Sequence, residues 1–268
     1  MPDFLVLLVA EPTLTIAYVI FGLVGFGTTL VAAPVLAHIL PLTTLVPALA
    51  LTDLIAAWTN GTRLARQMVR LEVLRLVPAM FIGSALGAWI LFAVPVKLLM
   101  PLLGVFIVLY ALNGLRPQTA KPPLAPGWAW WFGGAGGVLS ALFGAGGWVY
   151  SMYLVRRLED PHQIRATQTA VLMISSLIRV GLFALGGRYF DVPLLLLVAA
   201  LLPAVGLGLY IGHRITLKLD KKRFMQLLYG VLLLTGASLI VRSAANQEQS
   251  PSPTQPTAWR SIPSGSWC

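Results

Sequence analysis

Twice in this chain a membrane-length apolar run is interrupted by clustered glycine: LVGFGTTL at Leu23–Leu30 and LFGAGGWV at Leu142–Val149. Lipid offers no partner to backbone N–H and C=O groups. Irregular backbone at membrane depth therefore survives only where it is buried in protein or lines a cavity. Interruptions at corresponding points of two halves are the sequence mark of a transporter's binding site.

The rest of the chain is consistent with lipid as its solvent. Hydrophobic residues make up 57% of the 268 and charged residues 10%, against about a quarter charged in soluble domains. So few charges cannot cover a water-facing surface, and an all-α, polytopic transmembrane helical bundle follows. The net charge of +10 is spread over short loops between apolar blocks rather than gathered into basic runs with aromatics, which argues against nucleic-acid binding. Cys268 is the one cysteine, so neither an intrachain disulfide nor a cysteine metal cluster is expected. The start, MPDFLVLLVAE, lacks a basic leader, which predicts that the first apolar block is retained.

Apolar blocks run at about 4–25, 28–62, 76–94, 98–115, 128–155, 166–187, 193–213 and 224–242. That is about eight hydrophobic spans at roughly 20 residues per crossing. Block 28–62 contains Pro41 and Pro47, expected to end or bend helix, and block 128–155 contains the second glycine cluster. One alternating topology gathers fourteen of the nineteen Lys and Arg on one face. They are Arg63, Arg66, Arg70, Arg75, Arg116, Lys121, Arg156, Arg157, Arg165, Arg214, Lys218, Lys221, Lys222 and Arg223. The positive-inside rule makes that face cytoplasmic, provided each glycine break forms a hairpin. Residues 243–268, rich in Ser and Pro, are expected to be a disordered tail.

A second echo accompanies the glycine clusters. Leu76, Pro78, Ala79, Gly83, Gly87 and Ile90 recur as Leu201, Pro203, Ala204, Gly208, Gly212 and Ile215. The membrane domain, 1–242, then divides into repeats of about 4–115 and 128–242. The topology turns one over relative to the other, an inverted design that binds substrate near the midplane. Gly83, Gly87, Gly208 and Gly212, spaced four apart, fit close helix packing rather than ligand contact.

Candidate chemistry sits at the breaks and beside them. Gly25, Gly27, Gly144, Gly146 and Gly147 permit backbone whose N–H groups can meet an anion. Thr28 and Thr29 add hydroxyl donors, and Phe26 and Trp148 shape a wall. Asp53, deep in ALALTDLIAAW, carries an insertion cost of about 2.5–3.5 kcal/mol when ionised, and serves either a proton relay or an ion pair. Arg179 either binds an anionic solute through its guanidinium, snorkels, or pairs with Asp53. Thr52, Asn60, Thr167, Gln168, Thr169 and Ser175 supply further polar groups, some of which only link helices. Glu11 lies near an interface. His38, His162 and His213 are far apart, so no metal site is expected.

With its glycine motif opening each half, Thr52 and Thr169 in the helices that follow, Pro34 after the first motif, and a Pro/Gly-rich third helix in each half, the chain resembles the sulfite exporter TauE/SafE family over roughly residues 5–242. The resemblance implies a bacterial inner-membrane permease exporting sulfite, organosulfonates or another small anion. From the residues themselves, substrate contact is expected at Gly25, Phe26, Gly27, Thr28, Thr29, Thr52, Gly144, Gly146, Gly147, Trp148, Thr169 and Arg179. The partners are then an anionic small molecule and the bilayer, with no cofactor; a homo-oligomer is compatible. No GxxxxGK[ST] loop is present for nucleotide hydrolysis. Without HExxH, GxSxG or paired carboxylates an intramembrane enzyme is disfavoured. A channel, or a transporter of another anion such as a carboxylate, is the alternative.

Overall fold

The computed structural model describes residues 4–24, 28–64, 67–115 and 122–215, with Leu233 and Ala237. Among these the regular secondary structure is all helical, joined by short turns and without a strand. The helices are α1 (Phe4–Val24), α2 (Thr28–Leu36), α3 (Leu42–Leu64), α4 (Arg70–Ala93), α5 (Val96–Leu115), α6 (Trp128–Phe143), α7 (Gly146–Leu154), α8 (Pro161–Leu185) and α9 (Val192–Ile215), with a 3₁₀ turn at Arg188–Phe190 before α9. Gly25, Phe26 and Gly27, most of the 224–242 block, the 243–268 tail, and Arg66, Arg116, Lys121, Lys218, Lys221, Lys222 and Arg223 lie outside the described residues, as do the side chains of Asn60, Arg63 and His213.

Two helices begin earlier than their apolar blocks. α4 starts at Arg70 rather than near Leu76 because its charged first turn has partners: Glu72 pairs with Arg75 at 2.8 Å and with Arg157 at 2.8 Å. α8 starts at Pro161, where Asp160 caps the helix by accepting from the His162 N–H at 2.9 Å and proline occupies the first turn. Pro41 separates α2 from α3 as expected. Pro47 instead lies inside α3, a placement that neighbouring helices make tolerable at membrane depth.

Four described helices hold stretches long and apolar enough to cross a membrane, Leu42–Thr59, Arg70–Ala93, His162–Leu185 and Val192–Gly212; Val6–Gly22 and Pro101–Asn113 are shorter apolar stretches. Phe81, Ile82 and Trp89 of α4 and Trp130 and Trp131 of α6 are all exposed. Lipid, not water, suits such a surface.

Small residues set how the helices cross. α4 lies against α6 and α9 against α1. A Cβ on Gly83 would run into the Gly134 carbonyl, and one on Gly87 would come within 2.6 Å of the Val138 carbonyl. The other seam is alike: a Cβ on Gly208 would lie 2.6 Å from the Thr15 carbonyl and one on Gly212 2.7 Å from that of Val19. These glycines serve packing, as their spacing predicts. Between the seams, α3 packs on α8 and α9, and α8 on α4 as well. α3 and α8 thus form the centre.

Candidate functional site

α6 stops at Phe143 and α7 restarts at Gly146. Gly144 ends α6 in the left-handed region, φ 64°, donating to the Ser140 carbonyl at 2.8 Å, while the Ala145 N–H reaches Leu139 at 3.2 Å. Glycine is favoured there by its φ and by its neighbour, since a Cβ would overlap the Thr29 side chain. α7 folds back along α6, so that Gly136 faces the Tyr150 ring and Gly146 faces the Gly136 carbonyl. The second glycine cluster is therefore a helical hairpin, as its sequence predicts. α7 opens with no side-chain cap, leaving its first N–H groups without an intrahelical acceptor. At the first cluster α1 ends at Val24 and α2 begins at Thr28, on either side of it.

The two half-helices meet at one small polar cavity. It is lined by Phe21, Thr28, Asp53, Ala57, Ser140, Gly144, Ala145, Gly147, Trp148, Leu172, Ser176 and Arg179, with about 20 Å³ of room at the scale of a water molecule. That space holds one or two waters. Trp148 closes one wall, meeting Tyr110 and Phe106 of α5 edge-on, with ring centroids 5.2 and 6.1 Å away.

Charge sits at the polar end. Asp53 and Arg179 are both buried and pair through Nη2 and Oδ2 at 3.0 Å. Asp53 also accepts from the Tyr18 hydroxyl at 3.0 Å, from Thr28 at 2.6 Å and from Thr29 at 3.3 Å. Three hydroxyls from α1 and α2 thus compensate much of the cost of a buried carboxylate. Arg179 donates to the Ser140 carbonyl at 3.3 Å and to the Ser176 hydroxyl at 3.2 Å. Its Nε is buried and has no hydrogen-bond partner among the described residues, and neither has Oε1 of Gln168, whose amide nitrogen donates to the Gly147 carbonyl at 2.7 Å. An orphaned guanidinium N–H beside a cavity is an unspent anion donor.

The geometry brings together Thr28, Thr29, Asp53, Gly144, Gly147, Trp148 and Arg179. Gly146 is buried behind the turn against α6. Thr52 and Thr169 turn onto their own helices, toward the Leu49 and Arg165 carbonyls at 3.1 and 2.9 Å. Thr167 accepts from the Val69 N–H at 3.0 Å, tying the segment before α4 to α8, and Ser175 bonds Ser140 at 2.8 Å. Sequence reasoning missed Tyr18, Ser140 and Ser176. A pointer existed for two of them: Ser140 precedes Gly144 by one helical turn and Ser176 precedes Arg179 by three residues, spacings that share a helix face.

A second charged cluster was also missed. Glu72 is buried and accepts from Tyr153 at 2.6 Å, Arg75 at 2.8 Å, and Arg157 through Nη2 at 2.8 Å and Nε at 3.2 Å. Its hydrogen bonds hold the exposed-end Arg157 guanidinium above its usual pKa. Arg157 and Arg156 also donate to the Leu124 and Pro122 carbonyls, fastening the segment before α6. Two arginines assigned to one face, Arg75 and Arg157, thus converge on a single carboxylate.

A lipid-facing helical bundle with a broken helix at an internal polar cavity is the architecture of a membrane transporter. The chain belongs to the sulfite exporter TauE/SafE family, whose model matches residues 12–239. It is therefore a membrane transporter and not an enzyme. It is similar to the probable inner membrane transporter protein TsaS of Comamonas testosteroni, 25% identical over 190 residues, covering 70% of this chain and 80% of that one. No solved structure matches the chain.

Proposed function

We propose that this protein is a secondary transporter of the bacterial inner membrane that exports a small anion of sulfur, sulfite or an organosulfonate, through the cavity between α2 and α7. The observation that carries the proposal is the unpartnered Nε of Arg179, buried at a cavity lined by the Gly144–Trp148 turn. A planar guanidinium, an uncapped helix start and neighbouring hydroxyls are the donors a tetrahedral or pyramidal oxyanion requires. The family's description and the relative's name support a transported small molecule; sulfur chemistry rests on the family's description.

The transport unit is two inverted halves, about 4–115 and 128–242, contributing about eight spans, with their cation-rich loops in the cytoplasm. Matched packing supports this division. Gly83 meets Gly134 and Gly87 meets Val138 across one seam, while Gly208 meets Thr15 and Gly212 meets Val19 across the other. Every one of these partners is displaced in sequence by the same offset as its repeat, 119 residues for the first helix and 125 for the third. Each half lends its third helix to the other, so the bodies that move against one another each contain chain from both repeats. Alternating access would then expose the cavity to either face in turn.

The test is flux in reconstituted liposomes with labelled sulfite, ethanesulfonate and acetate, for wild type and Arg179→Gln. Gradient-driven movement of a sulfur anion, abolished by the substitution, is the expected result. Preference for acetate would redirect the cargo to carboxylates, and movement of no small anion under any gradient would remove the proposal.

A further inference from the structure

The geometry points to Asp53 as a built-in competitor for the cargo: its carboxylate holds Arg179 between transport events, and an incoming oxyanion of sulfur takes the guanidinium by displacing it. This inference rests on the reading of the cavity as an anion site.

The link between the two residues is a single contact. Arg179 meets Asp53 only through Nη2 and Oδ2, at 3.0 Å, rather than through the two parallel hydrogen bonds a guanidinium makes with a well-aligned carboxylate. Each partner is otherwise held from its own side. Asp53 keeps Tyr18, Thr28 and Thr29, all from α1 and α2; Arg179 keeps the Ser140 carbonyl from α6 and the Ser176 hydroxyl from α8. Parting the pair therefore leaves the carboxylate with three donors, so it does not become an isolated buried charge. The guanidinium, by contrast, would be left without an anion in a buried setting, which demands a replacement. Its free Nε, adjacent to Nη2 on the same fork, lets an oxyanion accept two hydrogen bonds where Asp53 accepts one.

Space leads to the same conclusion. About 20 Å³ admits a water and not a sulfur oxyanion. The Asp53 carboxylate lines this cavity, and a sulfonate or sulfite head, though larger by a sulfur centre and a third oxygen, presents the same kind of charged oxygen acceptors to the guanidinium. Withdrawal of Asp53 toward its hydroxyl donors would vacate a position of suitable charge, size and hydrogen-bonding. The same withdrawal breaks the α3–α8 ion pair at the centre of the bundle, which ties anion binding to release of the two bodies.

Competition makes a prediction opposite in sign to a structural role. Purified full-length protein is titrated with ethanesulfonate, whose charge is constant across neutral pH, by calorimetry and by shift in Tm. Asp53→Asn should bind at least ~10-fold more tightly than wild type and gain more in Tm on anion addition, because Arg179 no longer has a resident partner. Binding by the variant equal to or weaker than wild type overturns the inference while leaving the anion site standing. No binding by either protein, with sulfite giving the same result, removes the anion site and the inference with it. Should Asp53→Asn not fold alone, it is purified with ethanesulfonate throughout. Rescue of folding by the anion supports displacement, and failure of rescue, repeated with Asp53→Thr, overturns it.

Discussion

Gly144, which lines the cavity, packs so closely on Thr29 that one added carbon on the glycine would overlap the threonine side chain. The contact joins the end of α6 to the first turn of α2, and Thr29 in turn donates to Asp53 at 3.3 Å. Two independent penalties meet at Gly144. A non-glycine residue at φ 64° costs about 1–2 kcal/mol, and overpacking against a fixed neighbour roughly 1–3 kcal/mol more. Gly144→Ala should therefore lower thermal stability markedly and abolish flux. Gly181→Ala, where a Cβ meets nothing within 4 Å, should leave the melting temperature unchanged or slightly raised. Equal melting temperatures for the two variants would show that the turn relaxes freely and that Thr29 is no constraint.

Removing one member of the Asp53–Arg179 pair should harm the fold more than removing both. Arg179→Gln leaves a buried carboxylate without its counter-charge, a loss of about 3–5 kcal/mol for a buried pair, softened here by the three hydroxyls on Asp53. The double variant Asp53→Asn, Arg179→Gln should recover part of that stability yet move no anion. Thermal melts of the four proteins form a double-mutant cycle, and strictly additive losses would mean that the two charges do not interact.

How much of this was legible in the sequence follows from range. The α6–α7 break was visible because glycine spacing is local and a hairpin needs only neighbours. The intramembrane charges Asp53 and Arg179 were visible because lipid makes each costly, and pairing them was one of the alternatives their cost left open. What escaped was partner choice. Tyr18 reaches Asp53 across 35 positions and Tyr153 reaches Glu72 across 81, and nothing in a tyrosine's local pattern announces such an acceptor. Thr52 and Thr169 show the converse: a threonine in a helix can bond to the preceding turn, as both do, and local sequence does not distinguish that from a hydroxyl turned toward a cavity. α4 begins earlier than its apolar block because Glu72 in its first turn acquires Arg157 from a distant segment, a partner no local pattern announces. The early start of α8, by contrast, was there to be read in the Asp160 cap and the proline that follows it.

The two glycine seams should respond alike to the same insult. Gly83→Val would press on the Gly134 carbonyl and Gly208→Val on that of Thr15, both backbone atoms that cannot rotate away. Each should lose roughly 1–3 kcal/mol and shift the melting temperature downward by similar amounts. Gly206→Ala, with nothing within 4 Å of its Cβ, serves as control and should change stability by less than about 0.5 kcal/mol. A large loss at one seam and none at the other would mean that only one of the two crossings is maintained in the membrane.

Glu72 separates stability from transport. It does not line the cavity, yet it anchors Tyr153, Arg75 and Arg157 together and so pins the end of α7 to the start of α4. Its arginine partners retain 31% and 22% of their side-chain exposure, so water already screens part of the attraction. Glu72→Gln keeps the shape and one acceptor but loses the charge, and a loss of about 1.5–3 kcal/mol is expected, the range for hydrogen bonds to a charged group. The melting temperature should fall relative to Glu159→Gln, a change at an exposed residue, while anion affinity measured well below that temperature stays close to wild type. Loss of affinity without loss of stability would instead connect this cluster to the cavity, through the α7 backbone that carries both Tyr153 and Gly147.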